Sequence, residues 1–275
     1  MTVLCDVMGV SRGGFYRYCK KIDKPINIEK VELEATVKEI FKKSKYCYGS
    51  RRISKELKKR GFPVGRYQAR TLMINLGLVV KTPRKFKVTT NSKHKYPVAP
   101  NILNRKFNIK QPNRVWVSDI TYIWTKEGWL YLAAILDLHS RKIVGWSMSN
   151  RMTSDLTIEA LRMAFGNRKP EKGLIHHSDR GSQYASHDYQ NKLKNYGMIC
   201  SMSRKGNCWD NAVMERFFRN LKSECVDWKI YSTREEAKLD IIDYIVMFYN
   251  SSRLHSYLDY QSPMEFEETQ LAKTA

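Results

Sequence analysis

The 275-residue chain predicts an α/β fold: a mixed sheet with flanking helices, preceded by a helical region of helix-turn-helix type. Three observations carry this. The first eighty residues place apolar side chains at helical spacing between glycine stops. From Arg114 to Ser149 the pattern changes to strands. Beyond that, helical stretches and short buried strands take turns, the order expected of layered α/β architecture.

In the helical region, Leu33, Val37, Ile40 and Phe41 recur at three and four residues between Glu29 and Lys43, the period of an amphipathic helix. Ser50 to Arg60 reads as a second, basic helix ended by Gly61, and Gly65 to Leu76 as a third ended by Gly77. The short turn GFPV joins them. Two helices around such a turn, with Arg51 and Arg52 on the first and Arg66, Tyr67 and Arg70 on the second, point to a helix-turn-helix reader of DNA. The bland alternative is a helical hairpin with a solvated basic face. A fragment of similar flavour, MGVSRGGFYRY from Met8 to Tyr18, places a turn at Ser11 before an aromatic, basic helix. With about ten residues ahead of it, this unit reads as partial, one half being supplied by another chain.

Lys81 to Arg114 is basic, carries Pro83, Pro97, Pro100 and Pro112, and has little periodicity. It reads as an extended linker suited to lie along a phosphate backbone. Then come WVSDITYIW, WLYLAAILDL and KIVGWSMS, three strands in series separated by turns, which predict an antiparallel meander. A helix follows over Thr153 to Phe165, then a short buried strand in GLIHHS, a helix over Ser186 to Tyr196, a strand over Met198 to Met202 and a helix near Asn211 to Glu224. Thr233 with Glu236 predicts a capping box opening a helix that runs to about Asn250.

Composition narrows the partners. Forty-nine Lys and Arg stand against 27 Asp and Glu, a formal charge of +22, which favours a polyanion. The longest nearly apolar stretch, Trp129 to Leu136, is far shorter than the ~20 residues that span a bilayer, and no secretion signal opens the chain. A cytoplasmic setting without membrane contact is expected. Six scattered cysteines form no C-x-x-C pair and complete no zinc spacing with the histidines, so the thiols read as free and reduced.

Three acids stand out by position. Asp119 lies inside the first strand, where an unpaired carboxylate needs a counter-charge. Asp179 lies just past the end of GLIHHS, where open α/β sheets present functional groups. Glu215 sits among Val213, Met214, Phe217 and Phe218 on the helix AVMERFFRNLKSE. If they converge, mutual repulsion raises their affinity for protons unless a divalent cation neutralises them. Hard oxygen ligands select Mg²⁺ or Mn²⁺, and a pair of ions is a route to phosphodiester cleavage and transfer. Fifty-nine residues separate the aspartates and 35 separate Asp179 from Glu215. Lys222, seven residues beyond Glu215, shares its helix face, with Arg219 between them, so a cation there suits a phosphate near the metal.

The blocks WVSDITYI, LDLHSRKIVGW, HHSDRGSQY, SMSRKGNCWDNAVMERFFRNLKSE and YNSSRLHSYLDYQSP together resemble the catalytic subunit of IS-three family insertion-sequence transposases, the OrfB type, relatives of retroviral integrases. GVSRGGFYRY and YGSRRISKELKKRGFPVGR resemble the family's N-terminal helices. The resemblance implies an RNase H-like integrase core in which Asp119, Asp179 and Glu215 bind two Mg²⁺ ions, with Mn²⁺ able to substitute. It implies strand cleavage and transfer at the terminal inverted repeats of a bacterial mobile element, and no covalent enzyme intermediate. It also implies double-stranded DNA as partner, at the element ends and at the target, a homo-oligomer on paired ends, and fusion to or assistance by an upstream reading-frame product. The expected layout is a partial helix-turn-helix segment at 1–22, a helical DNA-binding domain at 23–80, a basic linker at 81–113, the catalytic core at 114–228, and a C-terminal helix and tail at 229–275. Unlike retroviral integrases, the chain has no His and Cys module ahead of the core, so no zinc is expected.

Other residues take lesser roles. Asp137 reads as a turn residue satisfied by backbone N–H groups, Asp210 as an N-cap, and Glu159 and Glu224 as helical surface acids. His176 reads as a strand histidine satisfied by backbone, while His177 is placed near metal or DNA. Trp209, Arg180 and Gln183 are expected at the DNA, by stacking, phosphate pairing and hydrogen bonding. The Tyr249, Asn250, Arg253 and His255 cluster reads as packing of the last helix. Two alternatives to a transposase are a catalytically silent DNA-binding regulator and a stand-alone nuclease; all three acids being present disfavours the regulator.

Overall fold

A computed structural model describes residues 2–22, 27–81 and 96–274. The meander forms as the alternation predicts: β1 (Val115–Thr125), β2 (Gly128–Asp137) and β3 (Ile143–Ser149) are antiparallel neighbours. β4 (Ile175–Ser178) then pairs with β1 in parallel, and β5 (Ile199–Met202) pairs with β4 in parallel, which makes a mixed five-stranded sheet in the order β3-β2-β1-β4-β5. β1 is therefore the strand at which pairing changes sense.

Helices cover both faces. On one, α6 (Ser154–Arg168), α7 (Ser182–Ala185) and α8 (His187–Asn195) bury Leu156, Ala160, Tyr184 and Tyr189 against Trp116, Ile135 and Val144. α6 runs three residues past the expected end, and its backbone lies so close to β3 that a Cβ at Gly145 would fall 2.7 Å from the Ala164 Cβ. On the other face, α9 (Ala212–Glu224) and α10 (Arg234–Asp243) pack Met214, Phe217, Leu221 and Ile241 against Val117, Ile123, Leu130 and Leu132. α10 continues as a π-helix over Tyr244–Asn250. Its Thr233 cap accepts from the Glu236 N–H as predicted, but Glu236 reaches back to the Ser232 N–H in place of Thr233. The tail also holds a helix that the sequence reading lacked, α11 (Pro263–Thr274), opened by a Ser262–Glu265 capping box.

α3 (Ile28–Lys43), α4 (Ser50–Lys59) and α5 (Arg66–Asn75) form at the expected positions. Val37, Ile53, Leu57 and Ala69 join the same apolar cluster as Val117 and Phe217, so the helical region and the sheet share one core. Tyr48 fastens the junction: its hydroxyl accepts from the Leu254 N–H at 2.7 Å and donates to the Ser252 carbonyl at 3.2 Å. At the start of the chain the expected lone helix, α2 (Arg12–Ile22), is preceded by a short one, α1 (Thr2–Val7), which buries Cys5. Ser11 accepts from the Gly14 N–H and so starts α2.

The linker lies partly outside the described residues. From Tyr96 to Arg114 it has no helix or strand but is not a free spacer: Leu103 is buried, the Ile102 and Leu103 N–H groups donate to Ser201 Oγ, and Arg141 donates to the Phe107 carbonyl. A buried backbone segment must satisfy its polar groups, and here the sheet supplies the partners. Among the described residues no helix is long and apolar enough to cross a membrane.

Four expectations about acids and histidines change. Asp210 is no N-cap: it is buried and bound by Arg204, Arg105 and Asn101, and the Arg204 guanidinium holds its carboxyl well below the usual range. Glu224 is no surface acid: Arg253 grips both its oxygens at 2.6 and 2.8 Å and the Tyr244 hydroxyl adds a third bond, all in the interior. The α9 face that carries Glu224 turns inward because α10 and its π-helical continuation pack over it. His176 is buried as expected, but its Nε2 meets the Tyr189 hydroxyl at 3.1 Å and not backbone. His177 sits between the Ser201 and Ser203 hydroxyls, and burial holds its pKa down at about 4, so it faces neither metal nor DNA. Asp137 behaves as expected, accepting from the Asn113 and His139 N–H groups.

Candidate active site

β1 and β4 pair in parallel as far as Val117 opposite His177. Two residues further on, at the carboxyl end of β4, stand Asp119 and Asp179. The register thus sets both carboxylates at the same level, where the strands part and open a crevice. Each is oriented by a backbone donor: Asp119 Oδ1 accepts from the Ile120 N–H at 2.8 Å, and Asp179 Oδ1 from the Gly181 N–H at 2.9 Å.

Glu215 arrives from the first turn of α9. What brings that turn to the crevice is Asn211, whose side chain donates to the Ser118 carbonyl at 3.1 Å, one residue before Asp119. Ahead of it, Asp210 ties the 3₁₀ turn Cys208–Asn211 to Arg204 and Arg105. The charged hub and the amide together fix where α9 begins.

Asp119 lies within the field of both other acids. Burial raises the Asp119 carboxyl well above its ordinary value, and the charges of Asp179 and Glu215 push it further, while the Ile120 N–H and Lys222 oppose. Glu215, exposed at the helix start, is raised by partial burial. Lys222 lies two turns along α9 with its Nζ 4.6 Å from the centre of the Tyr122 ring, and burial lowers its pKa against the pull of Asp227 and Asp119. Among the described residues no three His, Cys, Asp or Glu side chains form a ready-made metal cluster. The donor chemistry nonetheless fits a hard divalent cation: carboxylate oxygens, no thiolate, and a buried carboxyl at Asp119 that two neighbouring acids press upon.

The remaining predicted residues divide into near and far. Arg180 donates from Nε to the Ser203 carbonyl, and Gln183 from Nε2 to the Met152 carbonyl, both beside Asp179 in sequence. Trp209 is 68% exposed on the turn that leads into α9. Arg219 is exposed on α9. Arg66 and Arg70 are exposed on α5, Arg66 lying over the Tyr67 ring, and Arg51 is exposed on α4. Arg52 differs from its neighbour: it is half-buried, 5.4 Å over the Tyr48 ring, and faces α9. Sequence reasoning missed Asn211, Arg105 and Arg204, which position the site through contacts distant in sequence, and Arg216, whose signal was its place beside Glu215.

With that geometry in hand, comparison with known proteins agrees. Residues 28–86 match the HTH-like domain family, and residues 109–208 and 215–271 match two integrase core domain families. The chain is 46% identical over 267 residues to the insertion element IS600 uncharacterized 31 kDa protein of Shigella sonnei, covering 96% of this chain and 97% of that one. It is 40% identical over 274 residues to transposase InsF for insertion sequence IS3A of Escherichia coli (strain K12), covering 98% and 94%. Among solved structures, the intasome of simian T-cell lymphotropic virus in complex with PP2A regulatory subunit B56 gamma aligns at 15% identity and TM-score 0.49, over 80% of this chain and 70% of that one. Near-full-length identity to InsF, with an integrase core behind an HTH-like domain, shows that the chain belongs to the IS3-family transposases, DNA-binding enzymes of the polynucleotidyl transferase kind that act in transposition.

Proposed function

We propose that this chain cuts and joins DNA strands at the terminal inverted repeats of an insertion sequence, and that Asp119, Asp179 and Glu215 are its catalytic acids and together hold two Mg²⁺ ions, Mn²⁺ being able to substitute. The observation that supports this most is that Asp119, level with Asp179 at the carboxyl end of the β1–β4 pair, feels the charges of both Asp179 and Glu215. Bound there, the ions supply activation of an attacking oxygen and stabilisation of the leaving one. The protein's own groups do the positioning. Asn211 holds α9 against β1, and Glu215 swings inward from the helix start to complete the set. Lys222 steadies the phosphate beside the acids and Arg219, one turn closer to Glu215, the backbone next to it, with Arg180 and Trp209 contacting the flanking strand. Arg51, Arg52, Arg66 and Arg70 grip the duplex, α5 being the reading helix.

The working unit is a homo-oligomer on paired ends, assisted by or fused to the upstream reading-frame product, and it acts in the bacterial cytoplasm. In this reading 23–80 reads DNA and 114–228 performs the chemistry.

The test is incubation of the protein with DNA bearing the inverted repeats that flank its gene, with Mg²⁺ or EDTA, beside Glu215→Gln. Nicked and joined strands that need metal and vanish in the variant, while DNA binding persists, are expected. Metal-dependent products that survive in Glu215→Gln would sink the assignment.

A further inference from the structure

Between α4 and α9 lies a cleft of about 230 Å³ lined by Arg52, Lys81, Arg216, Arg219 and Arg253, with Glu224 as its one acid. Glu224 is bound on both oxygens by Arg253 and Tyr244, so its single charge is shared first with Arg253 and only partly offsets the other cations. Among the described residues, Arg52, Arg216 and Arg219 form no ion pair with a carboxylate, whereas Arg253 beside them does. Like charges held together without an acid destabilise the fold unless an anion fills the gap. Arg52 records that crowding: burial and the neighbouring Arg253 charge lower its pKa, and the field of Glu224 opposes them without reversing the direction. Cys47, at the floor, offers no thiolate chemistry, since burial pushes its thiol up to about 12. The cleft is made for an oxyanion that accepts several guanidinium hydrogen bonds.

Its place on α9 says which oxyanion. Glu215 stands at the first turn, and Arg216, Arg219 and Ser223 carry the cleft wall along the same helix. At ~1.5 Å per residue the wall starts about 1.5 Å along the axis from Glu215, at Arg216, and its far part, from Arg219 to Ser223, lies about 6–12 Å beyond Glu215. A DNA strand rises ~3.4 Å per nucleotide. We infer that this cleft is a phosphate subsite that holds the DNA backbone about two to four nucleotides from the cut linkage, and that through Arg52 on α4 and Arg216 on α9 the bound strand clasps the helical region to the catalytic helix. The inference rests on the DNA-cleaving reading above.

The experiment measures binding, without divalent metal, of terminal-repeat duplexes carrying a single neutral methylphosphonate at successive positions within six nucleotides of the element end. Wild type, Arg52→Gln and Arg216→Gln are compared, and melting confirms that each is folded; Arg216 is exposed, so its variant tests the idea even if Arg52→Gln is unstable. One linkage in the two-to-four window should weaken wild-type binding about tenfold, and the same linkage should have no further effect in either variant. Each variant should also flatten the salt dependence by about one unit of slope. Full additivity of linkage and variant, or no sensitive linkage in that window, would overturn the subsite. Mg²⁺-dependent cleavage, scored separately on the unmodified duplex, keeps this result distinct from the fate of the catalytic assignment.

Discussion

Asp119 and Asp179 each stand two residues past the last parallel pair of their strands, Val117 with His177, so the sheet register itself sets the two carboxylates at one level. Burial and the second charge then hold the Asp119 proton tightly. In the unfolded chain that carboxyl has its ordinary value, so the folded state binds more protons and loses stability as pH rises from that value through the raised one. The penalty is complete only above the raised value. Asp119→Asn should therefore raise Tm in EDTA, by ~2–4 °C for each kcal/mol relieved, and should lose most of the further rise that Mg²⁺ gives the wild type. Calorimetry with and without Mg²⁺ checks both.

His176 tests the opposite sign. Burial lowers its pKa to about 3, whereas the unfolded side chain titrates near ~6.5. Stability from this residue is complete above that value and is lost as pH falls toward 3, at up to ~1.4 kcal/mol per pH unit. His176→Gln, which keeps an acceptor for the Tyr189 hydroxyl, should flatten the acid limb of stability between pH 6.5 and 4. Urea titrations at several pH values give the slope.

The Glu224–Arg253 pair is buried on both sides. Arg253→Met leaves a buried, uncompensated carboxylate and should lower stability by ~3–5 kcal/mol. Changing Glu224→Leu as well should recover much of that. A double-mutant cycle by denaturant unfolding measures the coupling, and equal losses in the single and double variants would refute it.

Gly145 lets β3 and α6 meet at backbone distance. Its added Cβ would strike the Ala160 carbonyl and the Ala164 nitrogen and Cβ. Gly145→Ala should therefore cost about 1–3 kcal/mol by overpacking, read as a lower denaturation midpoint.

Arg66 and Arg70 are exposed on α5 and make no core contact. Arg66→Ala with Arg70→Ala should leave melting unchanged, weaken DNA binding and reduce the salt slope by about one unit per residue. Filter-binding titrations over a range of NaCl give the slope.

By itself the sequence determined what depends on local pattern: the amphipathic helices around Gly61 and Gly77, the three-strand meander, and the spacing of Asp119, Asp179 and Glu215 with the blocks around them. Those signals survive because periodicity, turn chemistry and motif spacing are written in neighbouring residues. Tertiary structure decided what depends on partners far away in the chain. Asp210 and Glu224 looked like a cap and a surface acid because nothing near them in sequence announces Arg105 or Arg253. The linker looked free because its anchor, Ser201, lies about a hundred residues on. Arg52 and Arg51 look alike as neighbours, yet helical geometry sends one outward and the other against α9. The energy of a buried charge is set by the groups that surround it in space, and only the fold brings those groups together.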